Sequence, residues 1–224
     1  MNPPPNELQV PAQLVTLMAS VMLVIQMLMA VQRMLLTNVR LFALQSLMLA
    51  GIAAVVAYAY GATHVFWVAA LTLAGKVVLL PWFLGRLVRR IGIEQEVQPL
   101  INPPATMLLC GGLTLVGYLV ARPFSATERL GNNTLAVAIT LLLTGLFLMI
   151  TRRKAITQVL ALLTAENGLF LAAIALTSYG MPFIVELGIF FDLMVAVMVL
   201  GILVYRIRET FASMDVNQLN SLKG

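Results

Sequence analysis

The chain of 224 residues has one cysteine, Cys110, and one histidine, His64. A lone thiol excludes an intramolecular disulfide, an iron–sulfur cluster and any zinc site that needs several thiolates. A lone imidazole excludes a haem held by two histidines. Clustered Ser/His/Asp and a glycine-rich phosphate loop are missing as well, so neither a self-contained enzyme of the soluble kind nor a cofactor or metal on this chain is expected. Charge is scarce: Asp, Glu, Lys and Arg make up 10% of the residues, against roughly 25% in soluble domains, while 61% are hydrophobic. The net charge of +5 does not point to nucleic acid, because the basic residues stand at the ends of apolar segments. Lipid is the expected surrounding.

A helical crossing needs about 20 apolar residues. Runs of that kind fall near Val10–Gln32, Leu41–Tyr60, Thr63–Leu84, Thr106–Ala121, Thr134–Thr151, Ile156–Ser178 and Pro182–Tyr205. They predict an all-α membrane protein of seven transmembrane helices forming a single membrane domain, 1–224. Its parts are the first three spans with a loop from Gly85 to Ala105 (10–105), the fourth span with an outer loop (106–133), the last three spans (134–206) and a tail (207–224). Met1–Glu7 contains three prolines and neither Lys nor Arg, so the first run reads as a retained helix rather than a secretory signal.

Short cytoplasmic loops carry the excess of Lys and Arg. With seven spans, Arg33, Arg40, Arg86, Arg89, Arg90, Arg152, Arg153, Lys154, Arg206, Arg208 and Lys223 fall on one side and only Arg122 and Arg129 on the other. That split places the N-terminus outside and the C-terminus in the cytoplasm.

Inside the apolar runs the charged side chains are Lys76, Glu166, Glu186 and Asp192. Such groups cost roughly 2.5–3.5 kcal/mol near the bilayer centre and commonly mark an ion or proton path; a buried structural pair or a snorkelling chain is the plainer alternative. At about 1.5 Å per residue, Glu166 and Asp192 each lie roughly 15 Å into their spans from opposite ends, and Lys76 roughly 19 Å into the third. The three therefore share one level and form a row for proton transfer. Glu186 sits about 9 Å higher and on another face, as an interfacial carboxylate or an uptake or exit group. His64, beside Phe66 and Trp67, reads as part of an interfacial belt, with a relay role as the alternative. Gln26, Gln45, Ser46 and Asn167 supply polar groups, for which interhelical hydrogen bonds are the common use. Pro81 removes a backbone donor and should free the carbonyl of Val77. Gly168, next to Glu166 and Asn167, leaves room for water or a close helix. Arg33 precedes Ser46 as Arg153 precedes Glu166, by thirteen residues, which hints at a parallel repeat of spans one to three in spans five to seven.

These stretches carry a resemblance. Ala43-Leu44-Gln45-Ser46-Leu47, Lys76-Val77-Val78-Leu79-Leu80-Pro81, Glu166-Asn167-Gly168, Val185-Glu186-Leu187-Gly188-Ile189 with Asp192, and the polar tail Asp215-Val216-Asn217 to Leu222-Lys223-Gly224 resemble the hydrogenase-4 component E family of formate hydrogenlyase-type membrane hydrogenases. The last three spans are also similar to the K subunit of complex I and the C subunit of multisubunit cation/proton antiporters. In that comparison Arg152-Arg153 and Glu166 match the basic turn and the first membrane glutamate, while Asp192 stands where a second glutamate is expected. The resemblance implies a subunit without redox centres in a bacterial or archaeal cytoplasmic membrane. Its implied partners are antiporter-like membrane-arm subunits and a cytoplasmic nickel-iron hydrogenase module. Two roles stay open: ion transfer, of protons or Na⁺, through Lys76, Glu166 and Asp192, or a scaffold in which the same charges form static pairs. A C-type antiporter subunit and a free-standing transporter are further alternatives.

Overall fold

A computed structural model of the chain describes residues 9–61, 63–91, 100–124, 133–176 and 195. The elements among the described residues are all helical, with no strand. Helix α1 runs Gln9–Val31, α2 Leu35–Tyr60 and α3 Thr63–Thr72; a π-helical segment, Leu73–Leu79, leads directly into α4, Leu80–Ile91. Then come α5, Pro103–Ala121, a 3-10 turn, Arg122–Phe124, α6, Thr134–Thr151, and α7, Ala155–Leu176. Six stretches are long and apolar enough to cross a membrane: Pro11–Val31, Leu35–Ala59, Val65–Arg89, Pro103–Phe124, Thr134–Thr151 and Ala155–Leu176. This is a multi-pass membrane protein. The expected seventh span, Pro182–Tyr205, lies outside the described residues except for Val195. The chain divides into two compact units, Met1–Gly188 and Ile189–Gly224, and the six stretches belong to the first.

Several boundaries differ from expectation for physical reasons. Helix α2 begins at Leu35, six residues before Leu41, because Arg40 does not end it. That side chain is exposed, and an arginine stem lies readily along an apolar surface with its head in water. The third span continues past Leu84 through α4, whose Arg86 and Arg89 are exposed in the same way. Helix α5 starts at Pro103, since proline suits the first helical turn, where no intrahelical N–H partner is needed. The loop expected from Gly85 to Ala105 is shorter at both ends as a result.

Helix α2 is central: it packs on α1, on α3, the π segment and α4, and on α7, while α6 lies against α5, α1 and α7. The tightest approach of backbone to backbone at a glycine is between α6 and α7. A Cβ on Gly168 would stand 2.6 Å from the Leu142 nitrogen and 2.8 Å from the Ala138 oxygen, and one on Gly145 would stand 2.7 Å from the Ala165 nitrogen. Of the two uses expected for the gap at Gly168, the close helix occupies it. These two backbone contacts fix the rotation of α7, and with it the direction of Glu166 and Asn167.

Arg152 locks one end of the bundle. It is buried, 5% exposed, and its Nη2 donates to the carbonyls of Met29 and Ala30 at the C-terminal end of α1. A cation is favoured there by the helix dipole and by the carbonyls left without intrahelical donors. The Leu100 N–H donates to the Thr151 carbonyl at 3.2 Å. The α1–α2 turn, the α6–α7 turn and the approach to α5 therefore share one end, which gathers Arg33, Arg152, Arg153 and Lys154.

Candidate functional site

Lys76 sits eleven residues after Val65 in the third stretch, and Glu166 eleven after Ala155 in the sixth, so each lies about 16 Å into its crossing. Both are buried, about 5% exposed, and Lys76 Nζ is 3.5 Å from Glu166 Oε1. Local backbone geometry helps to aim the lysine. The Leu80 N–H donates to the Gly75 carbonyl, an i to i−5 bond, so the helix is widened around Lys76. Pro81 follows at once, and its missing N–H prevents the ordinary bond to Val77 that would tighten the turn.

The pair heads a continuous set of side-chain hydrogen bonds. Lys76 Nζ donates to Asn167 Oδ1 at 3.2 Å. Asn167 Nδ2 donates to Gln45 Oε1 and to Ser46 Oγ, both at 3.2 Å. Gln45 Nε2 donates to Gln26 Oε1 at 3.0 Å and to the Met22 carbonyl at 3.4 Å. Gln26 Nε2 donates to Thr164 Oγ1 at 3.5 Å, and the Thr164 hydroxyl to the Ala161 carbonyl at 2.8 Å. Every member is buried. The ladder thus joins the π segment, α7, α2 and α1, with each amide pointing its donor in the same sense, from the ammonium toward α7.

Of the residues singled out in the sequence, the structure brings Lys76, Glu166, Asn167, Gln45, Ser46 and Gln26 together. Asp192 and Glu186 lie outside the described residues. His64 belongs to α3, and its side chain lies outside them too. Two of the three charges expected in a row, Lys76 and Glu166, form a direct pair from two helices. Three residues of this region carry no signal as members of an apolar run. Thr164 is one helical turn before Asn167 and so shares its face; Arg152 counts in the sequence toward topology and as part of a basic turn, not as a contact to another helix; Asn38 lies inside the part of α2 that the sequence leaves in a loop. Cys110 is buried among Ala30, Leu148 and Ala161, where α1, α5, α6 and α7 meet, and serves as a small packing residue.

Known proteins resemble this chain in sequence. Residues 133–224 match the family model of NADH-ubiquinone/plastoquinone oxidoreductase chain 4L. An uncharacterized protein of Mycobacterium tuberculosis is 35% identical over 153 residues, 67% of this chain and 69% of that protein. Hydrogenase-4 component E of Escherichia coli is 31% identical over 184 residues, covering 82% of this chain and 85% of the relative. No solved structure matches. On that breadth of identity the chain belongs to the hydrogenase-4 component E family.

Proposed function

We propose that this protein is a membrane subunit, without redox centres of its own, of a multisubunit hydrogenase-type complex, and that Lys76 and Glu166 take up and release protons while electrons pass through other subunits. One observation carries the reading: two opposite charges 3.5 Å apart, buried midway along two crossings. Charges so placed are costly in hydrocarbon. A proton moving from ammonium to carboxylate leaves both partners neutral, so the pair can change charge state without stranding an ion.

The ladder supports a titrating lysine because it can serve both states. With an ammonium, the donors run from Lys76 to Thr164 as described. With a neutral amine, reversing each amide lets Asn167 donate to Nζ, Gln45 to Asn167, Gln26 to Gln45 and the Thr164 hydroxyl to Gln26, at the cost of the bonds to the Met22 and Ala161 carbonyls. Neutral amides do not themselves pass protons in ordinary hydrogen bonds, so the ladder positions the pair. Onward transfer falls to Asp192 in the expected row, with Glu186 and His64 as uptake or exit groups. The proposed partners are antiporter-like membrane-arm subunits and a cytoplasmic nickel-iron hydrogenase module. The name of the Escherichia coli relative supports hydrogenase assembly, and the match to oxidoreductase chain 4L supports a respiratory-type membrane complex.

The test is Glu166→Gln in vesicles that contain the whole complex. Continued electron transfer with proton pumping reduced at least tenfold and the complex intact is the expected result. Unchanged pumping overturns the reading. Loss of assembly favours the second reading, a scaffold in which the pair and the ladder only hold helices together, which the closed hydrogen bonding of the amides also fits. Mass spectrometry of subunits copurified in mild detergent identifies the partners.

A further inference from the structure

Below the ladder, toward the end gathered by Arg152, lies a cavity of about 20 Å³ lined by Met29, Asn38, Arg152, Thr157, Ala161 and Thr164 among others. A space of that volume accommodates one water molecule, which requires about 10–15 Å³ and two to four polar partners. Asn38 is 4% exposed, and its Nδ2 donates to the Gln32 carbonyl at 3.1 Å. Its Oδ1 has no hydrogen-bond partner among the described residues. An acceptor buried in this way and left unmet costs about 1–3 kcal/mol, so a donor is called for at this wall of the cavity. The hydroxyl oxygen of Thr164, which donates to the Ala161 carbonyl and accepts from Gln26, has a second lone pair with which it can accept from the same molecule. The guanidinium of Arg152 opposes a metal cation here, whereas a neutral molecule with two donors and two acceptors suits every wall.

We infer that this cavity binds a water molecule and forms the hydrated end of a polar column that climbs α7 from Thr157 through Thr164 to Asn167. Ten residues separate Thr157 from Asn167, about 15 Å along the helix. The column is wet at the Arg152 end and dry where Gln26, Gln45 and Asn167 satisfy one another. Thr164 belongs to both parts, as the last acceptor of the ladder and a wall of the cavity. The inference stands on the cavity and on Asn38, and not on ion transport.

Hydroxyl-radical footprinting of the intact complex tests it, since radicals formed from a bound water oxidise side chains that bulk solvent does not reach. Met29 lines the cavity, and Met22, on the same helix, is fully buried away from it. Oxidation of Met29 is expected to be at least tenfold faster than that of Met22. It should fall to the Met22 rate in Asn38→Leu, which removes the acceptor, and in Ala161→Val, which fills the cavity from α7 and serves if the first variant does not fold. A Met29 as inert as Met22 in the wild type, or one whose oxidation is unchanged by filling the cavity, overturns the inference. Neither result bears on whether Glu166 carries protons, so the two readings fail separately.

Discussion

Lys76 and Glu166 are each expensive in hydrocarbon and tolerable together, because each is the counter-charge of the other. Taking one away strands the other, a loss of about 3–5 kcal/mol for buried pairs, whereas replacing both with neutral groups of similar volume is far milder. Lys76→Met is therefore expected to lower the thermal midpoint of the detergent-extracted complex more than the double variant Lys76→Met, Glu166→Gln. A double variant as unstable as the single one would contradict the pairing. Asn167 is the junction of the ladder, bonded to Lys76, Gln45 and Ser46. Interhelical bonds in membranes average about 0.6 kcal/mol each, so Asn167→Leu should cost about 2 kcal/mol. The same melting experiment reads it, with Leu169, exposed on the same helix, as the control position for substitution.

At the scale of elements, the π segment is the feature with the most direct mechanical meaning. A π turn behaves as an α-helix holding an extra residue. Removing Val78, which is exposed, should let Leu73–Leu79 relax to α-helix while α3 and α4 keep their faces; removing Gly85 from α4 instead rotates all that follows. Membrane insertion and thermal stability should survive the first deletion better than the second, although Lys76 loses its aim and pumping falls. Equal damage from both would show that the widened turn has no slack. The close seam of α6 and α7 is the opposite case: Gly168→Val drives a side chain into the Ala138–Leu142 backbone and should prevent stable accumulation in the membrane. Sequence analysis located the described crossings because apolar length is a one-dimensional property, and it marked Lys76, Glu166, Asn167, Gln45, Ser46 and Gln26 because polarity in such runs is conspicuous. It did not show who pairs with whom. Rotation of α7 depends on Gly145 and Gly168 meeting another helix, the start of α2 depends on where Arg40 points, and Thr164 looks like any hydroxyl that can bond its own helix backbone.

At the scale of the molecule, the proposed topology has seven crossings with the N-terminus outside and the C-terminus in the cytoplasm. The geometry contributes one independent constraint, since Arg152 contacts the end of α1 and thereby puts the turn with Arg33 and the turn with Arg153 at the same end. Phe124, which follows α5 and is exposed, lies at the other end of a crossing that begins near Thr151. Cys110 is buried among small apolar side chains, so Cys110→Ala provides a thiol-free background at little cost in packing. In that background, a membrane-impermeant maleimide should label Phe124→Cys in intact cells, but Arg33→Cys and Arg153→Cys only after permeabilisation. Arg33→Cys and Arg153→Cys must share a side whatever the orientation, because one buried guanidinium ties their turns together. A reversed pattern would turn the whole molecule over and send the proposed hydrated end of the column to the outer face. Labelling of Arg33→Cys and Arg153→Cys from opposite faces would break the bundle as described.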